Sequence, residues 1–345
     1  MFKAEDLSII CCPICKNDLR LLNNTKLECT SCKADFPITN DIPRLLYLGN
    51  EGLSYNKTWD YEWFVLDGGK GYNFKLLDPN DPAYRTHNVF KYNEYNGEAF
   101  KDLKGGIAVD IGCGTGPYSI KLFEKGAKRI YAIDLTRAVD VGKKIYEQRY
   151  PGLLDKIVFI QGNARFLPIK SDSIDVGMAL ASLHHSGDLK KCIEELTRVV
   201  KTGKRFFVWI YAKPLLPLSD SSRNLRGLIK IASFMYTFFQ IELVYNITKR
   251  MPNTLRVLIL KFFASDLFYF ISYLPIIGRI IRLLTIPAVP ENKDKGFRLL
   301  NLYDSYSPTF SEASDESDVI RWSKKFNFEV LDFSPWRLGF LGVKK

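Results

Sequence analysis

The chain has 345 residues, 46% of them hydrophobic and 25% charged, a balance that suits a folded globular protein and excludes wholesale disorder. Its length exceeds that of one ordinary domain, so one large domain with appendages is expected. Basic residues number 49 against 38 acidic, and the net charge of +11 favours anionic partners such as RNA, acidic lipid headgroups or phosphorylated small molecules.

The first residues, Met1 to Asp6, show no basic region leading into an apolar stretch and a small-residue cleavage site, so a cytoplasmic protein is expected. Four of the seven cysteines fall into two Cys-x-x-Cys pairs, Cys12-Pro13-Ile14-Cys15 and Cys29-Thr30-Ser31-Cys32. Without a secretory signal, that pattern reads as metal ligation before disulfides. Two thiolates on each of two knuckles supply the four tetrahedral ligands of a closed, structural Zn2+ site. Residues 1–50 are therefore expected to form a zinc ribbon, ending at the turn Asn40-Asp41-Ile42-Pro43. Cys11, Cys113 and Cys192 read as small buried side chains.

Residues 51–100 form an aromatic-rich cap or connector without a clean period, including Trp59, Tyr61, Trp63, Phe64, Tyr84, Tyr92 and Tyr95, with His87 among them. From Gly105 the pattern alternates. The apolar run Ile107 to Ile111 enters a glycine turn, a helix follows from Pro117 to Lys125, and a strand from Arg129 to Ile133 closes on Asp134. That is a βαβ unit. Further strands are expected at Ile157 to Gln161, Ile174 to Ala179 and Arg205 to Tyr211, with a helix from Asp188 to Val200 stopped by Lys201-Thr202-Gly203. The expected fold is α/β, a doubly wound, mainly parallel sheet over residues 101–213.

Residues 214–300 read as an apolar, basic helical insertion. Its longest uncharged runs, Ile231 to Gln240 and Leu267 to Gly278, are 10 and 12 residues, short of the roughly 18 a membrane span needs. Lys213 to Arg298 holds 13 basic and 5 acidic side chains. Such helices suit a lid over the site, a peripheral contact with an anionic membrane, or a dimer face of a homo-oligomer. Over 301–345, a helix from Ser314 to Lys325 and strands at Glu329 to Phe333 and Gly339 to Lys344 are expected to complete the sheet.

The segment Val109-Asp110-Ile111-Gly112-Cys113-Gly114-Thr115-Gly116 lacks the third glycine of a dinucleotide turn, having Pro117 instead. It resembles the first motif of class I S-adenosylmethionine-dependent methyltransferases of the type 11-like group. Asp134 and Leu135 match the acidic strand end that binds the cofactor ribose in that family. Gln161-Gly162-Asn163-Ala164 followed by Leu167-Pro168-Ile169 resembles the segment edging the adenine, with Asn163 in place of the usual Asp; its amide oxygen can still accept from the adenine amino group. Ser173 to His185 resembles the fourth motif and its substrate-facing loop, and Leu196 to Gly203 the helix that follows. The resemblance covers about residues 105–212. It implies a seven-stranded sheet, S-adenosyl-L-methionine as cofactor, and a cofactor site of Asp110, Gly112, Cys113, Gly114, Gly116, Asp134, Leu135, Asn163, Ala164 and Leu180. The N-terminal unit, continuing through Phe36 to Leu46, resembles the small zinc-binding activator subunit of tRNA and translation-factor methyltransferases.

Methyl transfer asks the protein to align the acceptor, exclude water and take up a proton where the acceptor carries one. His184 and His185, after the fourth strand, are candidates for that base. Asn301 to Pro308 resembles a stretch preceding the substrate-side helix, which makes Asp304, with Tyr303 and Tyr306, a further candidate. Three functions stay open: methylation of a small hydrophobic, lipid-linked or glycosylated metabolite, RNA methylation with the ribbon reading substrate, and a cofactor-binding scaffold without turnover. Against RNA, no Asn-Pro-Pro-aromatic or Asp-Pro-Pro-aromatic signature follows the fourth strand, where Ala179-Leu180-Ala181-Ser182 stands.

Overall fold

The computed structural model describes residues 2–49, 56–72, 74, 99–101, 103–213, 245–248, 250–275, 294–333 and 338–345. Tyr84, His87, Tyr92, Tyr95, the run Ile231 to Gln240 and the end of the run from Leu267 to Gly278 lie outside them. The chain divides into one unit of residues 1–64, 88–212 and 310–345 and another of 65–87 and 213–309.

The first unit opens with a short turn at Ala4–Ser8, then four strands, β1 Leu19–Leu22, β2 Lys26–Cys29, β3 Asp35–Thr39 and β4 Ile42–Leu45. Two tight hairpins shape them. Asn23 and Asn24 join β1 to β2, and Asn40 and Asp41 join β3 to β4, all four with φ between 49° and 57°, the left-handed pair that a type I′ turn demands and that Asn and Asp tolerate. A helix α1, Asn56–Tyr61, runs into a wide π-helical turn at Glu62–Leu66.

The strands β5 Ile107–Ile111, β6 Arg129–Asp134, β7 Ile157–Gly162, β8 Ile174–Leu180 and β9 Val200–Ala212 follow, with helices α2 Pro117–Glu124, α3 Ala138–Arg149 and α4 Leu189–Val199 between them. They are near-continuous apolar runs because a parallel sheet covered on both faces buries both rows of side chains. The chain leaves for the second unit and returns through β10 Ala313–Ser314, a helix at Glu316–Phe326, β11 Phe328–Phe333 and β12 Leu338–Lys344. The central order is β7-β6-β5-β8-β9-β12-β11; β12 runs antiparallel to both neighbours and the other six strands run parallel. This is the seven-stranded sheet that the resemblance implies.

The ribbon segment continues this sheet. β4 pairs in parallel with β7, Arg44 opposite Gln161 and Leu45 opposite Gly162, and Ile10, Leu27, Phe36 and Leu45 share one apolar core with Val158, Ile160, Leu167 and Ile169. Polar ties reinforce the seam. Buried Asp6 accepts from Arg129 Nε at 2.9 Å and the Tyr131 hydroxyl at 2.8 Å, and Arg44 grips Asp140 on α3 through both guanidinium Nη atoms. Lys16 Nζ donates to Glu195 at 2.8 Å and Arg198 Nε donates to the same carboxylate at 2.7 Å. Burial alone would raise the Glu195 pKa, but Arg198 and Lys16 outweigh it and hold the carboxyl below its ordinary range.

In the second unit, helices α5 Tyr245–Thr248, α6 Asn253–Phe263, α7 Asp266–Ser272 and α8 Lys295–Tyr306 are described. The helix at Glu316–Phe326 in the first unit is α9. Asn301 to Pro308 is expected to precede a helix, yet residues through Tyr306 belong to α8. Asp294 caps α8 by accepting from the Gly296 and Phe297 N–H groups at 2.8 and 3.1 Å, and buried Phe297, Leu300 and Tyr303 recur at helical spacing. Pro308 disfavours helix at Ser307. Two arginines of this basic segment are internal: Arg298 donates to Ala264 O at 2.9 Å and pairs with Asp266, and Arg256 donates to Thr248 O at 2.9 Å and Met251 O at 3.0 Å.

Candidate cofactor and zinc sites

The glycine turn sits between the carboxyl ends of β5 and β6. Gly112 and Cys113 donate their N–H groups to Ile133 O at 2.7 and 3.1 Å, so β6 fixes the turn. At Gly112, with φ of 70°, a Cβ would stand 2.2 Å from Ser182 Cβ, so a side chain is excluded on sterics and on backbone conformation. Gly114 donates its N–H to Asp134 Oδ2 at 2.8 Å, and Thr136 donates to Oδ1 through its N–H at 2.9 Å and its hydroxyl at 2.7 Å. Burial raises the Asp134 pKa against these stabilising donors. A carboxylate offers about four acceptor positions; three are used, and one at Oδ2 stays open for a ligand hydroxyl.

Asp110, 1% exposed, accepts from Ser119 Oγ at 2.7 Å. Burial, with the nearby Asp134 charge adding to it, pushes its pKa up to about 7. Thr115 Oγ1 is buried without a hydrogen-bond partner among the described residues, an orphan hydroxyl that a polar ligand in the turn would satisfy. Burial holds the Cys113 thiol well above its ordinary range, so it lines the turn as a neutral group. Leu180 is buried at the end of β8, and Leu135 O accepts from Gln161 Nε2 at 3.1 Å.

Asn163 is committed to structure on both sides of its amide. Its Oδ1 accepts from Arg165 N at 3.0 Å, capping the turn Ala164–Phe166, and its Nδ2 donates to Tyr47 O at 3.1 Å. The tail of the ribbon is thereby tied to the carboxyl end of β7, the position next to Ala164.

His184 and His185 form a tight turn after β8. The His184 ring stacks on Tyr211, centroids 3.7 Å apart. His185 Nδ1 lies 2.9 Å from Phe310 O; a carbonyl only accepts, so Nδ1 carries the hydrogen and Nε2 keeps its lone pair. Nε2 has no hydrogen-bond partner among the described residues. Burial lowers the His185 pKa to about 4, so the ring is neutral near pH 7. Ser182, which donates to Ile111 O at 2.9 Å, packs this turn against the glycine turn. Asp304 lies on α8 in the second unit.

Sequence reasoning passed over the residues that cover the turn. Trp63, 7% exposed, lies where a Cβ on Gly114 would be 3.2 Å from its ring. Trp59 packs on His185 at 5.1 Å between centroids, and Asp60 accepts from Arg137 N at 3.0 Å. The only signal for them was the density of aromatics before the first core strand.

In the ribbon, one Sγ from each of Cys12, Cys15, Cys29 and Cys32 lies within 4.8 Å of the others, with Cys12 to Cys32 at 3.6 Å and Cys15 to Cys29 at 3.4 Å. Thiolates around tetrahedral zinc stand about 3.8 Å apart, given Zn–S bonds of about 2.3 Å. The donor set and spacing fit a structural zinc ion. The left-handed Lys16 and Lys33, with φ of 63° and 61°, follow the second cysteine of each knuckle and give the two halves the same turn. Cys11 and Cys192 are buried, and burial pushes their thiols up to about 11 and about 12, which keeps both in the neutral thiol form near pH 7.

Residues 109–208 match the family model of a methyltransferase domain. Over that segment the chain is similar to methyltransferases. An uncharacterized methyltransferase, YcgJ, from Bacillus subtilis is 28% identical over 42% of this chain and 57% of its own length. The sterol 4-C-methyltransferase strm-1 of Caenorhabditis elegans is 24% identical over 42% of this chain and 43% of its own. The ubiquinone/menaquinone biosynthesis C-methyltransferase UbiE of Bartonella bacilliformis is 26% identical over 40% and 54%. The chain thus spans about half the length of the curated relatives it matches. The matched region of the methyltransferase domain runs from the glycine turn through Asp134, Asn163 and the histidine turn to β9.

Proposed function

We propose that the chain transfers a methyl group from S-adenosyl-L-methionine to a small hydrophobic or lipid-linked metabolite. The observation that carries the reading is the glycine turn held to Asp134 through the Gly114 N–H, with the orphan hydroxyl of the next residue, Thr115, in the same turn. When bound, the cofactor supplies an electrophilic methyl group on a sulfonium. Asp134 would hold the ribose hydroxyls, and Asp110 with the Gly112 to Gly116 backbone would hold the cofactor's amino acid end. Trp63 would exclude water above the turn, which strengthens polar contacts beneath it.

The acceptor, through a lone pair or a nucleophilic carbon, would take the methyl group that the cofactor supplies, and its proton would leave to a base. His185 is the proposed base: its Nδ1–H is held by Phe310 O, which leaves the lone pair of Nε2, without a hydrogen-bond partner among the described residues, to take that proton. His184, stacked on Tyr211, would position it. An apolar acceptor is supported by the aromatic setting of Trp59, Trp209 and Tyr211 and by relatives named for sterols and quinones. The zinc ribbon would be structural, holding the tail that reaches Asn163.

The test is incubation of the purified protein with methyl-labelled cofactor and an extract of its source cells, followed by counting of organic-soluble, small polar, RNA and protein fractions. Label in the organic-soluble or small-molecule fraction is expected. Label confined to RNA would replace the metabolite by RNA, and binding of cofactor without label anywhere would leave a scaffold.

A further inference from the structure

The second unit carries an apolar face that its own packing does not use. On α6, Val257 and Leu260 are buried, whereas Leu255, Leu258 and Phe262, at spacings of three and four residues, are 46%, 66% and 59% exposed. On α7, Phe268 is buried while Leu267 and Phe270 are 66% and 65% exposed. The two helices join on their inner side, where the Phe268 ring lies 4.9 Å from Phe263; Phe262 stands at the border, 5.8 Å from Phe268 and largely exposed. Large apolar side chains exposed singly are ordinary; five on two consecutive helices mark a contact surface.

Charge decides what covers it. Lys261 is exposed in the same stripe of α6. Asp266, the acidic residue of α6 and α7, is neutralised by the fully buried Arg298. Arg250, just ahead of α6, is exposed as well, and in sequence Lys213 to Arg298 holds 13 basic and 5 acidic side chains, of which Arg256 and Arg298 are internal. No described helix is long and apolar enough to cross a membrane. An apolar face with cationic and no unpaired anionic charge, on helices too short to span, is the pattern of an interfacial element.

We propose that the outer face of α6 and α7 docks on a phospholipid surface with anionic headgroups. Leu255, Leu258, Phe262, Leu267 and Phe270 enter the boundary between headgroups and acyl chains, and Lys261 extends its stem along that boundary to reach a phosphate. The inference goes beyond methyl transfer and does not depend on it.

The test floats the full chain with vesicles of phosphatidylcholine alone and of phosphatidylcholine mixed equally with phosphatidylglycerol. Binding to the mixed vesicles, weakened by salt, is expected. The triple variant Leu258→Ser, Phe262→Ser, Phe270→Ser should lose at least about 30-fold in vesicle affinity, and Lys261→Glu about tenfold on the mixed vesicles only. Both should keep the circular dichroism and cofactor affinity of the parent, which separates loss of docking from loss of fold. The proposal is overturned if the parent chain ignores mixed vesicles or if the triple variant binds as well. It is also overturned if the parent is a dimer that the triple variant converts to monomer, because the face would then belong to a second copy. Vesicle binding without cofactor binding would count only against the methyltransferase reading.

Discussion

Asn163→Asp installs the residue that the resembled family carries and, in this chain, turns a donor into an acceptor. The position is 2% exposed, with Nδ2 donating to Tyr47 O at 3.1 Å and Oδ1 accepting from Arg165 N at 3.0 Å. A carboxylate keeps the second contact and points its other oxygen at the Tyr47 carbonyl. Losing the neutral hydrogen bond costs about 0.5–1.5 kcal/mol, and opposing two buried acceptors adds about 1–3 kcal/mol, so a destabilisation of about 2–4 kcal/mol is expected. Protonation relieves it, since the acid hydrogen can donate to Tyr47 O. The introduced group's folded pKa is therefore raised above its unfolded value of about 3.9. By linkage, a raised folded pKa leaves stability intact below the unfolded pKa and loses it as pH rises through the folded one. A 3 kcal/mol penalty corresponds to a shift of roughly 2.2 units, so the penalty near pH 5 falls to about half its value near pH 8. The assay is urea unfolding of variant and parent at both pH values; their difference at each pH cancels the titration they share. A penalty equal at both pH values, or under about 0.5 kcal/mol near pH 8, would refute the tie between Asn163 and the ribbon tail.

Asp134→Ala removes the acceptor for Gly114 N and for both Thr136 donors, and calorimetry should find cofactor affinity reduced at least about 100-fold with zinc content unchanged; retained tight binding contradicts the ribose assignment. With Asp110 titrating at about 7 and its charged form assigned to the cofactor's amino end, affinity should fall about tenfold for each pH unit below 7, and a flat profile between about pH 5.5 and 7.5 counts against that role. Cys15→Ser should lose bound zinc and lower the melting temperature, because Cys12 and Cys29 belong to the same apolar core as β7; a zinc-free variant that melts like the parent would detach the ribbon from the fold.

The parallel strands were legible because burial on both faces writes them as apolar runs: Ile107 to Ile111 and Ile157 to Gln161 are found within a residue of where they were expected. Asp188 to Val200 was read as the helix and Leu189–Val199 is found, with Asp188 outside as the cap that accepts from Lys191 N at 3.0 Å. The stop at Lys201 to Gly203 is instead the start of β9, whose pairing with β8 takes the backbone over directly. The seam between β4 and β7 was not legible, since it is made by backbone groups and no side-chain pattern in Ile42 to Leu45 announces a partner more than a hundred residues away. The Asn40-Asp41 turn was visible as punctuation, but its left-handed pair makes it the bend of a hairpin rather than the end of a unit. The role of Trp63 was hidden for a related reason. Its contact with Gly114 exists only in three dimensions, and the short turn Glu62–Leu66 that carries it has no period that marks one face.

The parallel strand β4 also bears on how the chain survives its own synthesis. A doubly wound sheet leaves each lateral border with a row of unsatisfied amides and carbonyls, a template for pairing with another chain. Here the border beyond β7 is closed by a strand that leaves the ribosome well before β7 does, so the guard is already made when the vulnerable edge appears. Scarcity of zinc would then first be felt as aggregation of newly made chains, before any effect on those already folded.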